Sequence, residues 1–323
     1  MKKEAFIALA VLAGATASPF SFAQTSYPNK PIRFVVPYPA GGGSDFMART
    51  VAAQMSTDMG QNIVVENKPG GNGAIAVQDI LHGGPDGYAV MNADNGHLVF
   101  NPVLYKNLTY KVSDLAPVSL IGRVPMMLIT TPGSEFKTAK DVITKAKANP
   151  GKYSVASAGS GSPHHLALEL FKQTAGLHLV HIPYRGAAPS LADVAGGQVP
   201  LGISDFAAAA GFIKGGKVTP LAVATPQRIP QLPDVPTFAE LGLKDVQAYA
   251  LVSMVAPNGT PPEVMAKLQQ ATAKAMQNPA VSKKFIDFGV EPVGSTTAEL
   301  NALLATENTR WHKLIRDLNI QLD

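Results

Sequence analysis

An apolar run, Ile32–Val36, meets Pro37-Tyr38-Pro39-Ala40 and then three consecutive glycines, Gly41-Gly42-Gly43. Ser44-Asp45 and a helix-like stretch over residues 46–59 follow at once. No other segment narrows the possible folds so far. A strand that breaks into glycines and restarts as a helix is the building unit of an α/β sheet. Glycines accept backbone conformations closed to other residues and let amides come close to a ligand. The helix that follows, capped by Ser44 or Asp45, aims its free N–H groups and the positive end of its dipole at the loop. Such a loop suits an oxyanion, either a carboxylate or a phosphate.

The same alternation runs on. Apolar runs at 62–65, 88–91, 126–130, 153–155, 178–181, 201–203 and 221–224 are interleaved with helical patterns at 74–81, 139–149, 165–176, 188–195 and 207–213. The rhythm predicts an α/β chain with largely parallel sheets. Gly60, Gly176, Gly196-Gly197 and Gly215-Gly216 stand where helices should close. Two long apolar helices end the chain; one opens at Pro261-Pro262-Glu263 and the other carries Trp311, read as a core residue. Residues 118–129 and 247–256 are candidate crossings between two lobes, with hinges at the crossings. A second strand-loop-helix unit repeats the first plan: residues 153–155 lead into Ala156-Ser157-Ala158-Gly159-Ser160-Gly161-Ser162-Pro163 and a helix near His164 or His165. Two such loops facing each other across a cleft would hold the two ends of one anion.

Met1-Lys2-Lys3, an apolar run over residues 5–17 and Ser21-Phe22-Ala23 form the three parts of a cleaved export signal. Cleavage near Ala23 leaves residues 24–323, a length that suits two domains. Losing Lys2, Lys3 and Glu4 leaves 25 basic and 22 acidic residues, a formal charge of +3. That balance is mild, no basic stripe with interleaved aromatics is present, and nucleic acid is excluded as a partner. The chain has no cysteine, which removes disulfides and thiol chemistry.

Other chemistries find weaker support. Gly71-Asn72-Gly73-Ala74-Ile75-Ala76 fits a relaxed dinucleotide pattern with Asp94 downstream, but Lys68-Pro69 intervenes after the strand, and a tight turn into a helix explains it. His164, His165 and Glu169 lack a third metal ligand at characteristic spacing, so no metal or cofactor is expected. Ser160 and Ser162, with His97, His178 or His181, would be the parts of a serine hydrolase, yet the Gly-x-Ser-x-Gly pattern is absent. Tyr184-Arg185-Gly186 either supplies a cation to a distal carboxylate or is a solvated turn.

The motifs Tyr27-Pro28-Asn29-Lys30-Pro31, Val36-Pro37-Tyr38-Pro39-Ala40-Gly41-Gly42-Gly43-Ser44-Asp45, Val65-Glu66-Asn67-Lys68-Pro69-Gly70 and Pro85-Asp86-Gly87-Tyr88 follow in order. Asn149-Pro150-Gly151-Lys152, Ser157-Ala158-Gly159, Pro183-Tyr184-Arg185-Gly186, Gly196-Gly197-Gln198-Val199 and Leu232-Pro233-Asp234-Val235-Pro236-Thr237 continue the set. Over essentially the whole mature chain this resembles the Bug (Bordetella uptake gene) or TctC-like family, the periplasmic substrate-binding proteins of tripartite tricarboxylate transporters. The resemblance implies a type II periplasmic-binding-protein fold: two α/β lobes with a ligand cleft between them, and no catalysis. Residues 24–123 and 248–323 would form lobe 1, and 124–247 lobe 2.

The resemblance also implies a small organic carboxylate as ligand, held by backbone amides and ordered waters of the first glycine loop. First-loop contacts would fall on Tyr38, Ala40, Gly41, Gly42, Gly43 and Ser44, with Asp45 capping the helix. Asn92, Asp94 and Asn95 would reach the rim. Second-lobe contacts would fall on Ser157, Ala158, Gly159, Ser162 and His165, with Asp205 and Arg185 reading the far end. Ala40 replaces a common second proline, and Pro200 and Ser204 replace common acidic residues, so another member's ligand does not transfer. The expectation is a periplasmic monomer that captures a mono- or dicarboxylate, aromatic acids included, for membrane permease subunits. A sensor docking on a receptor kinase and a periplasmic serine hydrolase are the alternatives.

Overall fold

The computed structural model describes residues 27–322; the export signal lies outside them. Ten strands form one curled sheet: β1 (Ile32–Val36), β2 (Ile63–Asn67), β3 (Ala89–Asp94), β4 (Leu115–Thr130), β5 (Ser154–Ser157), β6 (Val180–Pro183), β7 (Leu201–Asp205), β8 (Thr219–Val223), β9 (Tyr249–Pro257) and β10 (Glu291–Pro292). Their order is β2-β1-β3-β9-β4-β7-β5-β6, with β8 and β10 added along β4.

Each lobe contains a three-stranded parallel block, β2-β1-β3 in the first and β7-β5-β6 in the second. The blocks place their carboxyl-terminal loops at the cleft, as the strand-loop-helix repeat predicts. The sheet as a whole is not largely parallel. β9 runs antiparallel to β3, and β4 runs antiparallel to β7, β8, β9 and β10. The physical reason is that β4 and β9 carry the chain between lobes, one outward and one back, so they oppose each other. Local apolar periodicity holds no information on that direction.

β4 is a single strand shared by both lobes. Its first part, through Pro125, pairs with β9; from Met126 it pairs with β7 and β8. Arg123 and Pro125 lie at the changeover, opposite Leu251 and Tyr249. β1 is buried nearly throughout because helices cover both faces of a parallel block. Residues 43–59 and 262–277 pack on one face of the first lobe, where Met47, Val51, Met55, Leu268 and Ala275 join Phe34 and Met254.

The helix Thr297–Asp317 braces the site from behind. Trp311 is buried, with its ring edge-on to Phe100 at 5.3 Å, as the apolar stripe predicts. His312 Nε2 meets the Val99 carbonyl at 2.8 Å. Both partners belong to the π-helical turn Gly96–Phe100, which follows β3 directly. Burying side chains of this size stabilises by about 2–3 kcal/mol each, so the turn that carries His97 is firmly held.

Candidate functional site

The first glycine loop is built differently from the sequence expectation. The helix Gly43–Met59 has Gly42 as its N-cap, so neither Ser44 nor Asp45 caps it. Asp45 instead sits in the first turn and reaches back. Its carboxylate accepts from the Gly41 amide at 3.0 Å, Arg49 Nε at 2.9 Å and Asn67 Nδ2 at 2.9 Å. Burial pushes this carboxyl upward, but Arg49, the Gly41 amide and Asn67 outweigh it and hold the group below its usual range. Gly41, at φ +86, is therefore fixed, and its N–H is spent inside the loop. Gly43 and Ser44 lie in the first turn, where amides have no intrahelical partner. Ala40, Gly41 and Gly42 are exposed.

Asn92, Asp94 and Asn95 lie beneath the rim, all buried. Asn92 Nδ2 donates to the Ser44 carbonyl and hydroxyl at 3.0 and 2.9 Å, tying β3 to the first loop. Asn95 is committed to β9, donating to the Tyr249 carbonyl and accepting from the Leu251 amide. Asp94 gathers the Tyr38 hydroxyl at 2.5 Å, the Gly96 amide at 2.8 Å, and His97, whose Nδ1 lies 2.7 Å away. Burial raises the Asp94 carboxyl, yet the His97 charge and the hydrogen bonds from His97 and Tyr38 leave it lowered overall. Tyr38 is pushed well above its usual range, chiefly by burial of its hydroxyl end and then by Asp94.

In the second lobe Ser162 caps the helix Pro163–Ala175 by accepting the His165 amide, and its hydroxyl donates to the Gly159 carbonyl at 2.7 Å. His165 is buried, with Nδ1 accepting from the Gly161 amide at 3.1 Å. Ser157 is wholly buried, 2.6 Å from His181 Nε2. Asp205 caps the helix Phe206–Lys214 through the Ala208 amide and meets His164 Nε2 at 3.0 Å. Burial pushes its carboxyl up, but the His164 bond and charge dominate and lower it. His164 and His165 thus turn to different partners. Among the described residues no group of three or more His, Cys, Asp or Glu side chains is placed to hold a metal ion.

A cavity of about 830 Å³ opens between the lobes. Tyr38, Ala158, Gly159, Ser162 and Arg185 of the expected site residues line it. Ala40, Gly41, Gly42, Gly43, Ser44, Asn92, Asp94, Asn95, Ser157, His165 and Asp205 are not on its walls. Arg185 is exposed and makes no ion pair among the described residues. Ser160, the candidate nucleophile, also faces the cavity, without a hydrogen bond to any described histidine.

The wall contains a loop that sequence reasoning set aside as a turn. Gly70, Gly71, Asn72 and Gly73 have φ of +121, +57, +52 and +88, four left-handed residues in succession. They lead into the helix Ala74–His82 and leave the Gly73 Cα bare against the His97 ring. A Cβ on Gly73 would lie 2.2 Å from His97 Nε2. The glycine pattern was the available signal; the dinucleotide reading hid it, because that pattern also ends in a helix N-terminus. His97 and Tyr105 were not expected in the site and both line it.

Comparison with known proteins bears on this cavity. The sequence pattern described as "Tripartite tricarboxylate transporter family receptor" matches residues 47–320. Protein BugT of Bordetella pertussis is 33% identical over 98% of this chain and 98% of its own. Among solved structures, R. palustris Rpa4515 with adipate has a TM-score of 0.83 at 32% identity, covering 90% of this chain and 97% of that one. MatC (Rpa3494) from Rhodopseudomonas palustris with bound malate has a TM-score of 0.79 at 28% identity, covering 90% of this chain and 100% of that one.

Proposed function

The chain belongs to the tripartite tricarboxylate transporter receptor family, and from that premise we propose that it captures a small organic carboxylate between its lobes and delivers it to membrane permease subunits. The inter-lobe cavity carries the reading. It is walled by two glycine-rich loops, Gly70–Gly73 and Ala158–Ser162, and by the unpaired Arg185. The amides of Gly73, Gly159, Gly161 and Ser162 are spent within the protein, but the remaining loop amides and one cation suit an anion without requiring a buried unpaired charge on the protein. Adipate and malate in structural relatives support a carboxylate here.

Lobe 1 would comprise residues 24–123 and 248–323, lobe 2 residues 124–247, with hinges where β4 and β9 cross. Closure then excludes water, and ligand shifts the population toward the closed form. The protein acts as a periplasmic monomer, exported by a signal cleaved near Ala23, without catalysis of its own. The full burial of Ser157 and the lack of a histidine bond to Ser160 support a binding role over a hydrolase. Among the described residues no helix is long and apolar enough to cross a membrane.

A thermal-shift screen of organic acids tests the reading. A ligand that binds only the folded state, present at about a hundred times its Kd, adds about 2.7 kcal/mol of stability. Stabilisation by carboxylates is the expected result. Stabilisation by sugars or cations alone would end the carboxylate reading.

A further inference from the structure

We propose that the cavity reads a hydroxyl group as well as a carboxylate, and that Asn101 and Tyr105 form the subsite that recognises it. The chain then prefers hydroxy acids to unsubstituted acids of the same length. The inference rests on the carboxylate reading above and narrows it to one class of ligand.

The two residues stand one helical turn apart. The short helix Asn101–Leu104 ends at Tyr105, whose amide donates to the Asn101 carbonyl at 3.0 Å. Residues at that spacing share a face, and both line the inter-lobe cavity.

Asn101 is only 5% exposed, and its amide has one allowed orientation. Nδ2 donates to the Asn72 carbonyl at 2.9 Å, and a carbonyl can only accept. The Tyr110 hydroxyl, 3.1 Å from Nδ2, gives its own proton to the His97 carbonyl and so accepts here as well. Both amide hydrogens are thereby spent within the protein. Oδ1, on the other arm of the amide, has no partner among the described residues and is not sealed from solvent. The cavity is the space that Asn101 lines, so a fixed acceptor is offered to the ligand.

Tyr105 supplies the matching donor. Its hydroxyl makes no hydrogen bond among the described residues, and partial burial holds the phenol above its usual range, so the proton stays on the oxygen at neutral pH. A Cβ on Gly161 would lie 3.5 Å from that oxygen, which therefore stands against the second-lobe loop where the loop is bare.

A ligand hydroxyl fits this pair because it is donor and acceptor at once. It gives its proton to Asn101 Oδ1 and receives one from Tyr105. A carboxylate oxygen in the same place would face the amide oxygen with no proton between them. An ammonium group could donate to Oδ1 but cannot accept from Tyr105, and no Asp or Glu lines the cavity to balance its charge where Arg185 already stands. A plain methylene leaves the buried acceptor unmet, which is how a site built for a hydroxyl rejects the analogue that lacks it.

Isothermal titration of the full chain with matched pairs tests this: succinate and malate, glutarate and α-hydroxyglutarate, adipate and α-hydroxyadipate. In at least one pair the hydroxy acid should bind about tenfold more tightly. Asn101→Leu removes the acceptor and should bring that ratio close to parity. Tyr105→Phe removes only the ring hydroxyl and should reduce the ratio about threefold or more. The readout is a ratio of two Kd values, so a general weakening of the site cancels. Equal affinities in every pair, or tighter binding of the unsubstituted acids, overturn the inference and leave the carboxylate reading intact. A ratio unchanged in either variant overturns it as well, and Tyr105→Phe decides the matter even if Asn101→Leu fails to fold. If none of these acids binds the unaltered chain, the carboxylate reading falls and this inference with it.

Discussion

His165 and His181 lie stacked, ring centroids 4.1 Å apart and planes 11° from parallel, behind the second-lobe loop. One comes from the helix Pro163–Ala175 and the other from β6. Each ring positions the loop through its neighbour, His165 by accepting from Gly161 and His181 by bonding Ser157. Burial, then the charges of His181 and Lys172, push His165 down to about 3. Burial, then Lys172, push His181 down to about 4.

Both rings therefore stay neutral in the folded protein where the unfolded chain, titrating near 6.5, already binds protons. Stability from this pair is complete above about pH 6.5 and is lost as pH falls toward 4. The slope is at most about 1.4 kcal/mol per pH unit for each histidine, with His181 contributing less because it is partly exposed. Urea unfolding between about pH 7 and pH 5 measures this. His181→Gln should flatten the profile, and equal slopes for variant and parent would contradict the assignment.

Two glycine substitutions should behave oppositely. Gly73→Ala places a Cβ into the His97 ring at a backbone φ of +88. Crowding and strain together predict a loss of about 2–4 kcal/mol. Gly42→Ala meets only the Pro39 carbonyl, at 3.8 Å, with φ of −85. Its effect on stability should stay within about 0.5 kcal/mol. Similar unfolding midpoints for the two variants would show that His97 does not rest on the loop as described.

Arg185→Gln should cost a dicarboxylate about tenfold in affinity, about 1.4 kcal/mol, as expected for a solvent-accessible charged hydrogen bond. A monocarboxylate of the same length should lose much less. Calorimetric titration of matched acids provides the comparison. An equal loss for both would place Arg185 outside direct recognition of the distal end.

The sequence made the strand-loop-helix units legible because they are local: β1 appears as read, and the helix after the glycines begins three residues before the expected start at Phe46. The candidate crossings over residues 118–129 and 247–256 pointed to two lobes, and the family resemblance implied the same division. Strand direction was not legible, since β4 and β9 take theirs from partners far away in the chain. Asp45 was misread because a carboxylate near a helix start can cap it or reach back past it, and only the position of Gly41 decides. Asn95 looked like a rim residue, being polar and next to a loop, whereas β9 absorbs both ends of its amide. His97 was invisible as a wall residue because its access to the cavity depends on the bare Gly73, 24 positions earlier in the sequence.

The outward and return paths of β4 and β9 also fix an order of assembly. Asn95 finds the Tyr249 carbonyl 154 residues further along the chain. Until β9 is synthesised, the Met91–Asp94 edge of β3 has no partner, although everything it will pair with on its other side is already present. A nascent or translocating chain thus carries an open, apolar sheet edge through the whole making of its second lobe, which is a standing invitation to pair with another copy. Truncation ahead of residue 249 should leave the first lobe unable to close, and slow delivery of the last quarter of the chain should show itself as aggregation rather than as weak binding.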